Sequence, residues 1–269
     1  MNFLVPSRPR LLPLLPLLSA LCAAFAPAAS RAQAPDSPGA EASRFALGVG
    51  VMSRQFAYAG MDRKNQALPV LMYENSWVRV VGLGAEFKLW RQPLGAGQSL
   101  SAGLRVKYEN DGFEASDSPR LAGMQERKGG FWGGGSVSWR NPVAPLTLEW
   151  LADLSGHSKG SKLQLQADHR FGFGPLGLTP RVQLQWMDRK YVDYYFGVRA
   201  GEATPDRAAY TGDAAMAVEA GLRMDYALAS RHAVFLDLSR TELPDEIKAS
   251  PLVDRKATSR VMAGYLYRF

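Results

Sequence analysis

Ala257–Phe269, ATSRVMAGYLYRF, is the stretch whose reading decides the fold. Side chains alternate across an extended strand. Val261, Ala263, Tyr265, Tyr267 and Phe269 therefore share one face, and Arg260, Gly264 and Arg268 share the other. The first face suits hydrocarbon and the second suits water. Such a terminal strand, aromatic toward its end and closed by Phe, has the pattern of the last strand of a bacterial outer-membrane barrel.

The same alternation recurs upstream. In Gln98–Glu109, Leu100, Ala102, Leu104, Val106 and Tyr108 oppose Ser99, Ser101, Gly103, Arg105 and Lys107. Leu146–Ser155, Ser161–Phe171 and Leu178–Asp188 repeat the pattern, and further strands are read at Arg44–Arg54, Ala67–Glu74, Gly129–Arg140, Ala214–Tyr226 and His232–Arg240. A strand of about 11 residues rising roughly 3.3 Å per residue, tilted near 40°, spans close to the roughly 25 Å apolar band of such barrels. The fold class is all-β, a single transmembrane antiparallel up-and-down barrel. Eight strands lie between Gln98 and the carboxy terminus. Apolar parity flips between Val78/Val80 and Leu83/Ala85/Phe87/Leu89, which predicts a turn near Gly82 and twelve strands in all. A bulge there instead gives ten.

Connections alternate in length. Short ones are expected at Gln92–Gly97, Asn141–Pro145, Gly172–Gly177 and Ala229–Arg231, and long ones at Asn110–Lys128, Arg189–Asp213 and Thr241–Lys256. Short turns face the periplasm in these barrels. Trp77, Trp90, Trp139, Trp150, Trp186, Tyr108, Tyr226, Tyr265 and Phe269 are expected in the interfacial girdles.

At the other end, Arg8 and Arg10 precede an apolar run interrupted by Pro13 and Pro16, followed by small residues, APAASRAQA. This is the layout of a signal peptide, residues 1–32, followed by a periplasmic leader, 33–43, and the barrel, 44–269. Cys22, the only cysteine, falls in the segment to be removed, so the mature chain has no disulfide or thiolate ligand. Loss of Arg8, Arg10 and Arg31 lowers the net charge from +7 to +4. Charges are scattered singly, without the basic patch of a nucleic-acid binder.

The inward faces carry Arg105, Lys107, Glu149, Asp153, Lys162, Asp168, Arg170, Arg181, Glu219, Arg223, Asp225, Asp237, Arg260 and Arg268, with bulky Leu151, Met187, Phe235 and Leu266. Such a mixed-sign lining either pairs into a ladder that closes the lumen or leaves a narrow path for small polar solutes. A closed lumen is the preferred reading. Asp153, Ser155, His157 and Ser158 cluster at a strand end, but alternation and loop placement do not assemble a nucleophile and base. His169 and His232 are isolated, and the sequence points to no catalytic, cofactor-binding or metal site. Gly129-Gly130 and Gly133-Gly-Gly135 lie in a strand and leave room for a large inward side chain such as Trp132. The aromatic loop Arg189–Asp213, with Tyr191, Tyr194, Tyr195, Phe196 and Tyr210, is expected to pack on itself, the alternatives being a lumen plug or a rim contact with lipopolysaccharide.

Tyr58-Ala-Gly60, Pro69, Tyr194-Tyr-Phe-Gly-Val198, Tyr210, Ser250-Pro-Leu-Val253 and Tyr265-Leu-Tyr-Arg-Phe269 occur in an order and spacing over residues 45–269 that resembles the MipA/OmpV family of outer-membrane proteins. Phe56-Ala57 stands where the resemblance leads one to expect a proline. The resemblance implies a non-enzymatic scaffold that brings a lytic transglycosylase together with a penicillin-binding murein synthase, in contact with outer-membrane lipid and lipopolysaccharide. It implies no cofactor.

Overall fold

The structure, a computed structural model, describes residues 44–269. The signal peptide (1–32) and leader (33–43) lie outside the described residues. The strands are β1 (Arg44–Gln55), β2 (Lys64–Glu74), β3 (Val78–Val81), β4 (Gly84–Gly95), β5 (Gln98–Glu109), β6 (Gly130–Arg140), β7 (Leu146–Asp153), β8 (Ser161–Asp168), β9 (Phe171–Phe173), β10 (Leu176–Met187), β11 (Ala215–Ala227), β12 (His232–Glu242) and β13 (Ala257–Arg268). Each pairs antiparallel with its neighbour, and β1 pairs with β13, so the sheet closes on itself. β8 and β9 both pair with β10 and are two pieces of one stave, broken at His169 and Arg170. The barrel thus has twelve staves.

Alternation sets the two faces. Val49, Val51 and Leu83 are 67 %, 62 % and 74 % exposed outward, while Leu151, Phe235 and Leu266 are buried inward. The expected girdle residues Trp77, Trp90, Trp139, Trp150, Trp186, Tyr108, Tyr226 and Phe269 are exposed. No helix among the described residues is long and apolar enough to cross a membrane, a statement that says nothing of strands.

The parity flip is a hairpin turn. Gly82 adopts φ +58°, a left-handed conformation that suits glycine, and joins β3 to β4. β3 is only four residues long and pairs with just Met72–Glu74 of β2. β2 runs on beyond it to Lys64, so its upper edge has no strand on the β3 side.

Several boundaries differ from the sequence reading. β2 begins at Lys64 rather than Ala67, because Gln66 and Lys64 keep pairing with Met52 and Arg54 although they break the apolar alternation. β4 extends to Gly95 by absorbing two register shifts, which reduces the expected turn Gln92–Gly97 to Ala96–Gly97. The expected Gly172–Gly177 connection shrinks to Gly174–Pro175 as β9 and β10 pair. β7 stops at Asp153, whose carboxylate turns the chain into the following loop. The break at His169 and Arg170 interrupts the single strand expected over Ser161–Phe171.

Candidate functional site: the lumen and its outer plug

The connections at the outer end fold inward. The loop after β1 contributes Phe56, Tyr58 and Met61; the β5–β6 loop contributes Phe113, Leu121 and Met124; and the β12–β13 loop contributes Leu243, Ile247 and Leu252. Between β10 and β11 stands α1 (Arg189–Phe196). Asp188 caps it by accepting a 2.8 Å hydrogen bond from Tyr191 N–H. Tyr191, Val192, Tyr195 and Phe196 are buried, the spacing of one helical face. Together with Trp132, Leu151, Met187, Ala215 and Ala217 from the wall, these residues form one apolar core across the outer mouth. The aromatic loop is therefore a plug, and the expectation of simple self-packing is corrected. Its aromatics gain burial by meeting inward wall residues such as fully buried Trp132, which self-packing does not provide.

Most polar groups inside the plug are paired, as burial requires, the exceptions among the described residues being Trp132 Nε1 and Arg255 Nε. The Arg127 guanidinium donates to both Glu202 oxygens at 3.0 and 2.7 Å and to Tyr194 O at 2.7 Å. Burial raises the Glu202 carboxyl pKa, but the bonds from Arg127 and from the Arg199 and Gln125 N–H groups outweigh it and hold the group down to about 2. Burial raises the Asp111 carboxyl too, yet Arg54 at 2.5 Å and other donors such as Tyr191 OH at 2.9 Å hold it well below the usual range. Burial pushes the Tyr58 and Tyr195 phenols well above theirs. Tyr58 OH lies 3.1 Å from Asp111 O and 3.2 Å from Tyr195 O. Ser250 Oγ donates to Phe196 O at 2.6 Å, and Ala59 N–H to Leu252 O at 2.8 Å. Phe56, found where a proline was expected, is buried under Arg54, 4.4 Å from its ring centroid.

Below the plug the lumen is polar. Lys162 is fully buried at the boundary, ion-paired with Glu109 and 4.0 Å from the Trp132 ring centroid, a cation–π contact. Arg105 pairs with Glu149 and Glu86, and Lys107 with Glu149 and Glu109 at 3.0 Å each. Arg181 forks onto Asp237 at 2.9 Å twice, and Asp225 accepts from Arg223 at 2.9 Å and Arg170 at 2.7 Å. Arg260 lies 3.9 Å from Glu219. Most of the inward charges read from the sequence thus meet as a ladder. Asp153 does not join it: its carboxylate accepts the Ser155, Gly156, Ser158 and Lys159 N–H groups and closes a loop. Glu86 and Glu109 also belong to the ladder, beyond the charges that the sequence pattern names, and Glu109 alternates in phase with Lys107. A cavity of about 450 Å³ remains, lined by residues including Arg79, Glu86, Arg105, Lys107, Glu149, Gln166, Asp168 and Gln183. Val70, Phe235 and Leu266, with Met72 and Met262, pack together on the β1–β2–β12–β13 side.

The histidine cluster holds no triad geometry. His157 Nδ1 lies 2.9 Å from Gly129 O, Ser155 Oγ accepts from Phe131 N–H at 2.8 Å, and Ser158 Oγ donates to Asp153 at 2.9 Å. The carboxylate orients a serine and backbone, not an imidazole. Among the described residues no group of three potential ligands gathers for a metal.

Comparison with known proteins gives a consistent picture. A putative outer membrane protein of Escherichia coli K12, YiaT, is 25 % identical over 240 residues, covering 87 % of this chain and 95 % of the relative. The MltA-interacting protein of the same organism is 27 % identical over 231 residues, 84 % and 90 % of the two chains. Outer membrane protein OmpV of Vibrio cholerae is 24 % identical over 173 residues, 64 % and 67 %. Among solved structures, the NanC porin overlaps with TM-score 0.45 at 9 % identity, covering 83 % of this chain and all of that one. The chain is an outer-membrane β-barrel. The family model described as MltA-interacting protein MipA matches residues 47–269, and the chain belongs to that family.

Proposed function

We propose that this barrel is a scaffold that holds a lytic transglycosylase at the inner face of the outer membrane, together with a penicillin-binding murein synthase, and that it is not an enzyme. The first partner is supported by the name of the MltA-interacting relative. The observation that carries the reading is the apolar core across the outer mouth, which stands in the way of passage from outside and leaves the periplasmic side as the working face. The surfaces available there are the short connections, among them Asn141–Pro145, where Asn141 Oδ1 accepts Val143 and Ala144 N–H and its Nδ2 donates to Ala144 O. Affinity capture from gently solubilised envelopes, with the mature chain as bait, is expected to retain lytic transglycosylase and murein synthase. Their absence, combined with resolved ion current through the purified protein, overturns the proposal.

The second reading, a narrow channel for small polar solutes, is favoured by the polar cavity of about 450 Å³ below the plug. It requires the outer core to open, and ion current tests it directly.

A further inference from the structure

A sheet edge within the apolar band has backbone groups that lipid cannot hydrogen-bond. β2 carries such an edge. Leu71 O accepts from Gly82 N–H at 2.8 Å, so Leu71 points its peptide groups toward β3. Alternate residues of an antiparallel strand point to the same neighbour, so Pro69, Ala67 and Asn65 point that way too, where β3 no longer reaches. Pro69 and Ala67 stand opposite Val49 and Val51, two of the most exposed lipid-facing residues, which places the gap in hydrocarbon. Proline there removes one N–H, as edge positions favour, but the carbonyls of Pro69 and Ala67 remain. A second copy does not complete this edge: two tilted barrels related by an axis along the membrane normal cross their β2 strands instead of aligning them.

Behind the gap lies the polar lumen cavity, whose lining runs from the β3–β4 hairpin at Arg79, Val81 and Gly84 round to Asp168 on β8 and Gln183 on β10. Nearly every charge around it is neutralised by a neighbour. Among the described residues Arg79 and Asp168 are exceptions. Arg79 makes no ion pair within 4.0 Å: it faces Glu74 and Glu86 across the strands and acts on Glu74 only at longer range, while those carboxylates are engaged by Lys88 at 2.8 Å and Arg105 at 3.2 Å. The Asp168 carboxylate accepts only the Gln166 amide, at 2.9 Å. Arg105 Nε is a further buried donor without a partner. One cavity therefore offers a cation without a direct ion pair beside an opening to hydrocarbon and an anion without one on the far wall.

We propose that the gap between β2 and the β3–β4 turn is a lateral port through which a zwitterionic phospholipid places its headgroup in the lumen, phosphate toward Arg79 and ammonium toward Asp168. Its acyl chains stay outside against Ala67, Pro69 and Leu83. Water accompanying the headgroup supplies the donors that the free carbonyls of β2 lack. This site is independent of any protein docked on the periplasmic face.

Native mass spectrometry of the mature barrel in mild detergent, titrated with phosphatidylethanolamine or with phosphatidylglycerol, which has the phosphate but no ammonium, tests the proposal. The ethanolamine lipid is expected to bind about tenfold more tightly, the size of one charge-assisted hydrogen bond. Asp168→Asn removes that preference, and Arg79→Gln weakens both lipids. Heat-modifiable migration in gels confirms that each variant is folded. A photoreactive acyl chain on the ethanolamine lipid is expected to label Ala67–Val70 and Leu83. Equal affinity for the two lipids, unchanged binding by both variants, or labelling spread evenly around the barrel overturns the proposal.

Discussion

Trp132 on β6 and Arg105 on β5 point into the same lumen a few residues apart, yet they meet opposite surroundings. Trp132 is fully buried among loop aromatics, whereas Arg105 lines an open polar cavity and pairs with two carboxylates. The outer part of the interior is a protein core, assembled by loops that leave the wall and return. The inner part is an ion-pair ladder around a polar cavity of about 450 Å³. A cylinder of alternating strands specifies neither. The difference comes from the loops, so one end of the same barrel is a lid and the other is a mouth.

The largest expected effect comes from taking the lid's anchor away. Deleting residues 189–212 removes α1 and the Glu202 partner of Arg127, and is expected to turn a silent protein into one with resolved conductance steps in a planar bilayer. An unchanged silent barrel would show that the ladder alone closes the lumen. Next, Lys162→Met removes the fully buried partner of Glu109 and leaves it Lys107 at 3.0 Å; the expected cost is toward the lower end of about 3–5 kcal/mol in urea unfolding, since breaking one side of a buried pair is strongly destabilising. Adding Glu109→Gln is expected to recover part of it. Additive losses in that double-mutant cycle would deny the coupling across the boundary between lid and ladder.

Acid separates the halves in another way. The Glu202 pKa is depressed in the folded state, so its contribution is fully present above the unfolded value near 4.5 and is lost as pH falls toward about 2. Protease sensitivity of the outer loops is expected to rise between those values while the barrel keeps its heat-modifiable migration, and Glu202→Gln is expected to flatten that rise. The smallest effect is on the inner side. Asn141→Ala removes a turn-closing set of hydrogen bonds and is expected to cost about 1 kcal/mol without opening the lumen.

The wall was legible because period-two patterning over strands such as Gln98–Glu109 and Ala257–Phe269 reports a two-sided environment at every residue. The turn at Gly82 was legible for the same reason, since a parity flip has few causes. The ladder was largely legible because inward charges follow from parity, and opposite signs in a narrow lumen have no water-rich alternative. The lid was not. Tyr58, Phe196, Val198, Tyr210, Ser250 and Val253 carried the family resemblance as separate scraps, and nothing local shows that Tyr58 bridges Val253, that Ser250 holds Phe196, or that Val198 pairs with Tyr210. The first two contacts join loops far apart in the chain and the third closes one long loop on itself, where neither periodicity nor turn chemistry speaks. The short β3 was half legible: its turn could be read, but the free edge it leaves on β2 emerges only from the register of both neighbours.

The account rests on the outer mouth being sealed by folded loops. Single-channel recording of the purified mature barrel in a planar bilayer at neutral pH tests this most directly. The account predicts no resolved steps from the intact chain and clear steps once residues 189–212 are deleted. Stable ohmic steps from the intact chain, of the same size as those from the deletion, would contradict it.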